Sequence, residues 1–347
     1  MIWLSWRLFR IEAAAAAAAL AAFTVLLAVT GPHLASLYAA SGITGCHVGS
    51  CGQLADNFLS LLGDSSIYPV VYTLGIVGIV LAPAVIGIFW GAPLLARELE
   101  TGTFRLAWTQ NITRARWLTV KLTLAGLAAM AATEGFSLMQ AWWAAPISQA
   151  ARIAPNAPAP LGFGPFNPLA FAAHGVTPLG YAAFAFILGV TVGGVLGRVI
   201  PAMAVTLVIF AAIQVAVPLW IRPNVFPPDH AMVAIGSING STRTNINNTF
   251  AFTVDFLPSQ PGAWITSAEA VNAAGQPASS IPAACKASGP SVPHLGSCLS
   301  RQGVRIDVSY QPASRYWAFQ WIETAIFIAF ASALTWYCFW YLARRLS

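Results

Sequence analysis

The chain has 347 residues, of which 57% are hydrophobic and only 8% are charged, and its mean hydropathy is +0.69. Soluble domains usually carry about 25% charged residues, so the composition excludes an ordinary soluble globular protein. The formal net charge of +6 comes from basic residues near the ends of apolar runs, which favours membrane orientation over nucleic-acid binding.

The N-terminal residues predict a surface helix followed by the first membrane span. In residues 1–12, three large apolar side chains fall on one helical face and Arg7 and Arg10 on another, a pattern typical of an interfacial helix. The alternative is a signal peptide whose apolar core is 13–30. We favour a retained anchor, because the run is longer than an ordinary signal-peptide core and further spans follow.

Six apolar runs of roughly twenty residues predict six transmembrane helices, since each run is long enough to cross a bilayer. The predicted fold class is therefore an all-α polytopic membrane protein, preceded by the interfacial helix. We expect 32–68 to be a loop, and 146–168, which is rich in proline, to lack regular helix. The predicted spans are 13–31, 69–90, 118–143, 175–196, 201–221 and 317–342.

The distribution of Lys and Arg predicts which side of the membrane each connection faces. Ten of the 17 Lys and Arg residues lie in 52 residues, formed by the two ends of the chain, the loop 91–121 and the turn 197–200. Because cytoplasmic loops carry the basic excess, we expect both termini and these connections to be cytoplasmic. The segment 222–316 is then extracellular, between the unit 13–221 and the last span with its tail, 317–347.

The segment 222–316 predicts a small external domain of β or irregular structure. Its β-prone runs, 249–256 and 304–310, are separated by Pro, Gly, Asn and Ser turns. Disorder is the alternative, and the two cysteines and several aromatic residues argue against it.

Four of the five cysteines fall on the predicted external side, and Cys338 lies within the sixth span. This distribution is typical of two disulfides in an oxidising compartment. Of the three possible pairings we favour the local ones. A zinc site that also uses His47 or His294 is the alternative, but the spacings differ from the usual zinc-binding knuckles, so we expect no metal. The four external cysteines are Cys46, Cys51, Cys285 and Cys298.

Polar residues inside the predicted spans are candidates for a translocation path. Glu134, Gln214 and Glu323 lie in the third, fifth and sixth spans, and an acid in a span usually faces a cavity or a partner rather than lipid. A structural hydrogen bond is the alternative for Glu134, and contact with interfacial water is the alternative for Glu323.

Small residues in the fourth span predict a close helix contact. Gly189, Gly193 and Gly197 form two overlapping GxxxG steps, which favour packing within the subunit or against a second copy. The sequence leaves both choices open.

Nucleotide-binding and hydrolase motifs are absent from the sequence. It contains no Walker A pattern, no GxGxxG followed by a helix, no HExxH and no GxSxG. We therefore predict no catalytic residues and no ATP hydrolysis by this chain alone.

The charged stretch between the second and third spans resembles a known family. ARELETGT followed by LAWTQNITRARWLTVK is similar to the cytoplasmic loop of type-2 ABC transporter permeases, with an acid, then Gly-Thr, a short helix, and basic residues leading into the third span. The later sequence YQPASRYWAFQWIET resembles the subgroup common in high-GC Gram-positive bacteria. The resemblance extends over almost the whole chain.

This resemblance implies that the loop contains a coupling helix that docks on a separate ATP-binding cassette subunit, which holds ATP and Mg²⁺. It also implies a second permease copy, identical or related, in a bacterial plasma membrane. An apolar and charged knob on a rigid helix suits the transmission of a partner's closure. The docking residues so implied are Glu98, Glu100, Gly102, Thr103, Phe104, Arg105, Leu106 and Trp108.

The function expected from the resemblance is export of a hydrophobic or amphipathic cargo, such as a drug, a peptide or a lipid-like molecule. The alternative from another class is a membrane sensor or immunity protein, in which the external domain binds a ligand and no ATPase partner is needed. A membrane-embedded enzyme is disfavoured, because no nucleophile–base pair or metal-ligand set converges in the sequence.

Overall fold

The computed structural model is a bundle of long apolar helices with a small β-sheet domain between the fifth and sixth membrane spans. It describes residues 2–46, 51–65, 67–102, 114–154, 165–234, 243–247, 249–253, 262–278, 283–286 and 292–345.

The described helices fall into long apolar rods and short surface helices. In chain order they are α1 (Ile2–Ala40), α2 (Cys51–Asp64), α3 (Ile67–Ile86), α4 (Ala92–Thr101), α5 (Arg114–Trp143), α6 (Ala145–Ile153), α7 (Pro168–Ala173), α8 (Thr177–Leu196), α9 (Val199–Ala216), α10 (Ala283–Lys286), α11 (Val292–Arg301) and α12 (Tyr316–Arg345). A π-helical segment, Gly87–Gly91, joins α3 to α4, and a second one, Val217–Ile221, extends α9.

Six helical stretches in the described part of the chain are long and apolar enough to cross a membrane, which confirms the predicted fold class. The fourth of them, α8, is 72% buried over its apolar window, against 17–44% for the others. It packs against α3, α4, α5, α9 and α12 and forms the centre of the bundle. The six stretches are Ala17–Ala40, Ile67–Thr101, Arg116–Trp143, Thr177–Leu196, Val199–Asn224 and Ala313–Tyr341.

The N-terminal part differs from the prediction. Helix α1 is unbroken from Ile2 to Ala40, so no boundary separates an interfacial helix 1–12 from a span 13–31. Pro32 lies inside this helix, which membrane helices tolerate because neighbouring groups satisfy the freed backbone carbonyl.

Two segments predicted as irregular contain helices. The predicted loop 32–68 holds α2, whose apolar side packs on the core around Phe58. The proline-rich segment 146–168 begins inside α6, because Pro146 occupies the first turn, where its missing N–H costs no helical hydrogen bond. α2 and α6 contact each other over the ends of α1, α3 and α5.

The second span continues past its predicted end at residue 90. α3, the π-helical segment and α4 form one helical stretch, Ile67–Thr101, which ends at Gly102 with a positive φ of 68°. Much of the predicted loop 91–121 is therefore helical, in α4 and the start of α5. The intervening residues 103–113 lie outside the described part of the chain.

The segment between the fifth and sixth spans, called the external domain after its predicted position, contains a three-stranded antiparallel sheet in the order β1-β5-β4, which agrees with the prediction of β structure. The disulfide-linked helices α10 and α11 cover its buried face, whose core includes Cys285, Leu299 and Ile306. A separate hairpin pairs β2 with β3. The strands are β1 (Asp229–Ala234), β2 (Arg243–Asn247), β3 (Thr249–Thr253), β4 (Trp264–Val271) and β5 (Arg305–Gln311).

An aromatic cluster joins the external domain to the helix bundle. Phe166, Phe171 and Phe319 are buried together, and Trp264 of β4 stacks on Phe166 with ring centroids 5.9 Å apart. Arg315, just before α12, also forms an ion pair of 2.9 Å with Asp229 of β1. The domain is thereby attached to the start of the sixth span.

Candidate functional site

The second and fourth spans approach each other closely through glycine. A Cβ atom on Gly189 would lie 2.8 Å from the backbone N of Ala92, and one on Gly87 would lie 2.7 Å from the carbonyl oxygen of Ala185. Side chains at these positions would therefore overlap backbone atoms. Gly193 also faces Ala92, so the GxxxG steps of α8 pack within the subunit, against the start of α4.

An ion pair links the predicted cytoplasmic ends of α4 and α5. Lys121 Nζ donates to Glu98 Oε1, and it also lies 4.3 Å from the ring centroid of Trp117. The Lys121 side chain is 9% exposed and that of Glu98 is 18% exposed, so this pair is largely shielded from water. Glu98 Oε2 is buried and has no hydrogen-bond partner among the described residues.

Glu100 of α4 contacts the start of the fifth span. Its Oε2 accepts a hydrogen bond of 3.2 Å from the backbone N–H of Val199, the first residue of α9. A carboxylate there satisfies an unpaired helical N–H and lies at the positive end of the helix dipole. Arg97 on the same helix is exposed.

The structure describes three of the eight predicted docking residues. Glu98 and Glu100 have the internal partners given above, and Gly102 ends α4. The other five lie outside the described residues, and they are Thr103, Phe104, Arg105, Leu106 and Trp108.

A second ion pair is buried near the predicted extracellular end of the bundle. Arg222 donates from Nε and Nη2 to the two carboxylate oxygens of Glu323, at 3.0 and 3.1 Å. The Tyr181 hydroxyl donates to Glu323 Oε1, and the guanidinium lies 3.9 Å from the Phe171 ring centroid. Both charged side chains of this buried pair thus have several partners, which offset the cost of removing them from water.

Gln320 adds a neutral polar contact one turn before Glu323. Its Oε1 accepts hydrogen bonds from the backbone N–H groups of Val176 and Thr177, at 3.1 and 3.2 Å. Its Nε2 donates to the Phe171 carbonyl at 3.1 Å. The sixth span therefore caps the start of α8 and holds α7 in place.

Arg222 is a residue that the sequence interpretation placed wrongly. We assigned it to the start of the external segment 222–316, yet it is only 2% exposed and lies within the helical stretch Val199–Asn224. Its position between an apolar run and Pro223 is typical of a loop. The available signal was Glu323, an acid within a span that needed a cationic partner.

The three predicted path residues do not form one cluster. Glu323 belongs to the ion pair with Arg222, whereas Glu134 and Gln214 are half-buried on α5 and α9. Among the described residues, Glu134 Oε2 is buried without a hydrogen-bond partner. Glu134 thus has a buried carboxylate oxygen that remains available for a hydrogen bond.

The two disulfides are the local ones, Cys46–Cys51 with an S–S distance of 2.05 Å and Cys285–Cys298 with 2.02 Å. Disulfide sulfurs cannot act as thiolate ligands, so these residues as bonded do not form the alternative zinc site. The described residues contain no group of three His, Cys, Asp or Glu placed to hold a metal ion.

Comparison with known proteins gives a family match. The sequence model of the ABC-2 membrane transporter related family matches residues 17–222, more than half of the chain and including its first five spans. No curated protein and no solved structure gives a significant match.

Proposed function

The chain belongs to the ABC-2 membrane transporter related family, and we propose that it is the permease subunit of an ATP-driven exporter in a bacterial plasma membrane. Family membership makes it a membrane component of a transporter. The proposal adds a separate ATP-binding cassette subunit that docks on residues 94–109, a second permease copy, and outward movement of a hydrophobic or amphipathic cargo.

The observation that carries this proposal is the long helical stretch Ile67–Thr101. It crosses the bundle, packs on the most buried span through Gly189, and leads directly into the segment 103–113. Because close-packed helices move as rigid bodies, a force applied beyond Thr101 would reach the centre of the bundle.

The proposed cycle starts with ATP and Mg²⁺ on the partner subunits. Their closure displaces the docking segment, and the attached spans change their arrangement so that cargo is released outward. Transport requires the two arrangements to differ in their affinity for cargo. Glu134 is the candidate for a cargo contact, because its unpaired carboxylate oxygen suits a cationic group.

The tryptophans support the proposed position in the bilayer. Trp317 and Trp321 near one end of α12, and Trp336 and Trp340 near the other, are all exposed. At 1.5 Å per residue, these two belts lie about 22–35 Å apart. Tryptophan gathers at both interfaces of a hydrocarbon core about 30 Å thick, which fits α12 as a span.

The proposal is tested by purifying the tagged chain from native membranes in mild detergent and measuring vanadate-sensitive ATPase activity. We expect an ATP-binding cassette subunit to co-purify, and we expect Trp108→Ala or Phe104→Ala to remove both the subunit and the activity. Trp317→Ala is the matched control, because Trp317 is exposed at the other end of the bundle.

Two results would contradict the proposal. Full coupling of ATP hydrolysis to transport in the Trp108→Ala/Phe104→Ala variant would remove the docking assignment. A chain that purifies alone and without ATPase activity would favour the sensor, whose ligand site would then be sought in the external domain.

A further inference from the structure

Helix α4 is attached to three neighbouring spans at its predicted cytoplasmic end. Ala92 packs on the glycines of α8, Glu98 pairs with Lys121 of α5, and Glu100 accepts from the first N–H of α9. Two of the acids that the family resemblance implied as partner contacts are therefore engaged inside the chain.

The Glu98–Lys121 pair has a particular place along the chain. Glu98 precedes the segment 103–113 and Lys121 follows it, so the ion pair joins the two helices between which the ATPase partner would bind. A displacement of the connecting segment would then act on both helices.

The apolar contacts around the ion pair fix the relative position of α4 and α5 less strictly than the ion pair itself does. Leu95 of α4 and Leu118 and Leu122 of α5 belong to the same buried cluster, and helices packed in this way can still shift by small shear movements. A shielded ion pair favours one register, because sliding would leave a charge without its partner. The stacking of Lys121 on Trp117 holds the ammonium group on this side of α5.

We propose that Glu98 and Lys121 are positioning residues that make α4 and α5 move as one unit when the ATPase partner closes. This inference rests on the proposed function, because it assigns a task within the coupling step. Glu98 then acts through Lys121 and the third span, and the direct contacts with the partner belong to other residues of the docking segment.

The inference is tested by measuring the distance between one spin label on the helical stretch that ends in α4 and one on α5. Phe89→Cys and Leu127→Cys provide exposed labelling sites outside the docking segment, and Cys338→Ala removes the buried free thiol. The distance is measured in the complex with its ATP-binding subunit, both nucleotide-free and trapped with ATP and vanadate. The variants are Glu98→Gln, Lys121→Met and the charge exchange Glu98→Lys/Lys121→Glu.

We expect the distance to be equal in both states of the otherwise unchanged complex, because the two helices move together. In Glu98→Gln and Lys121→Met it should shift by several ångströms on trapping, while the ATPase subunit still co-purifies in full amount. The charge exchange should restore the constant distance. If Glu98 and Lys121 were needed only for folding, all three variants would give a lower protein yield, and the charge exchange would not restore the constant distance.

Glu100→Gln is the matched control, because Glu100 is an acid on the same helix whose partner is on α9. Its α4–α5 distance should remain constant on trapping. A constant distance in Glu98→Gln would overturn the inference while leaving the proposed function intact. Loss of the ATPase subunit in Glu98→Gln without rescue by the charge exchange would also overturn it, since Glu98 would then be a partner contact. Failure of the unchanged chain to bind any ATPase subunit would instead reject the proposed function.

Discussion

In the described part of the bundle, one shielded ion pair lies near each end, and the two differ in how completely their atoms are satisfied. At the predicted outer end, Glu323 accepts from Arg222 twice and from Tyr181, and both charged side chains are at most 5% exposed. At the predicted inner end, Glu98 accepts from Lys121 alone among the described residues and is 18% exposed.

This difference indicates that the two pairs contribute differently to stability. The outer cluster joins the fourth, fifth and sixth spans, and opening it would leave charges buried without partners. The inner pair joins the second and third spans and is less completely buried, so its loss should reduce the free energy of unfolding by less.

The largest expected effect comes from breaking the outer pair on one side. Glu323→Gln leaves the buried Arg222 guanidinium without a counter-charge, which should destabilise the fold by about 3–5 kcal/mol. Replacing both residues, as Arg222→Met/Glu323→Leu, should recover most of this loss because no charge is then buried. Thermal unfolding in detergent measures both variants, and a double variant as unstable as the single one would argue against charge burial as the cause.

A smaller effect is expected at the glycine contact that places α4 against α8. Gly189→Ala brings a Cβ atom against the backbone of Gly87 and Ala92, and such overpacking should cost about 1–3 kcal/mol. Gly135→Ala is the control, because no heavy atom lies within 4 Å of its added Cβ, and alanine should stabilise that helix slightly. Equal melting temperatures for the two variants would show that the close approach does not limit packing.

The inner pair should contribute least to stability among these three sites. Glu98→Gln keeps the shape of the side chain and removes a partly exposed charge pair, so we expect a loss of about 1 kcal/mol or less. The same unfolding measurement applies. A loss as large as that of Glu323→Gln would show that the two ion pairs do not differ in their contribution to stability.

These contacts show which features of the fold could be predicted from the sequence and which could not. Long apolar runs predicted all six spans, and the spacing of Gly189 and Gly193 predicted close packing, although spacing alone does not identify the facing helix. Arg222 was misplaced because its partner, Glu323, is distant in the sequence. Charge pairing across the bundle depends on tertiary geometry, so the sequence did not predict the ion pair of Glu98, which the resemblance implied as a docking residue.

The smallest expected effect concerns pH at the outer end, where His174 lies between α7 and α8. Burial lowers the pKa of His174 below its ordinary 6.5, although the Ala170 carbonyl, 2.7 Å from Nδ1, opposes this shift. The unfolded chain therefore takes up a proton first as pH falls through 6.5, and stability should decrease from there until the folded protein also protonates. His174→Gln should make the melting temperature less dependent on pH between pH 7 and the acid side, because the titrating group is then absent. A slope that persists in His174→Gln would assign the titration to another group.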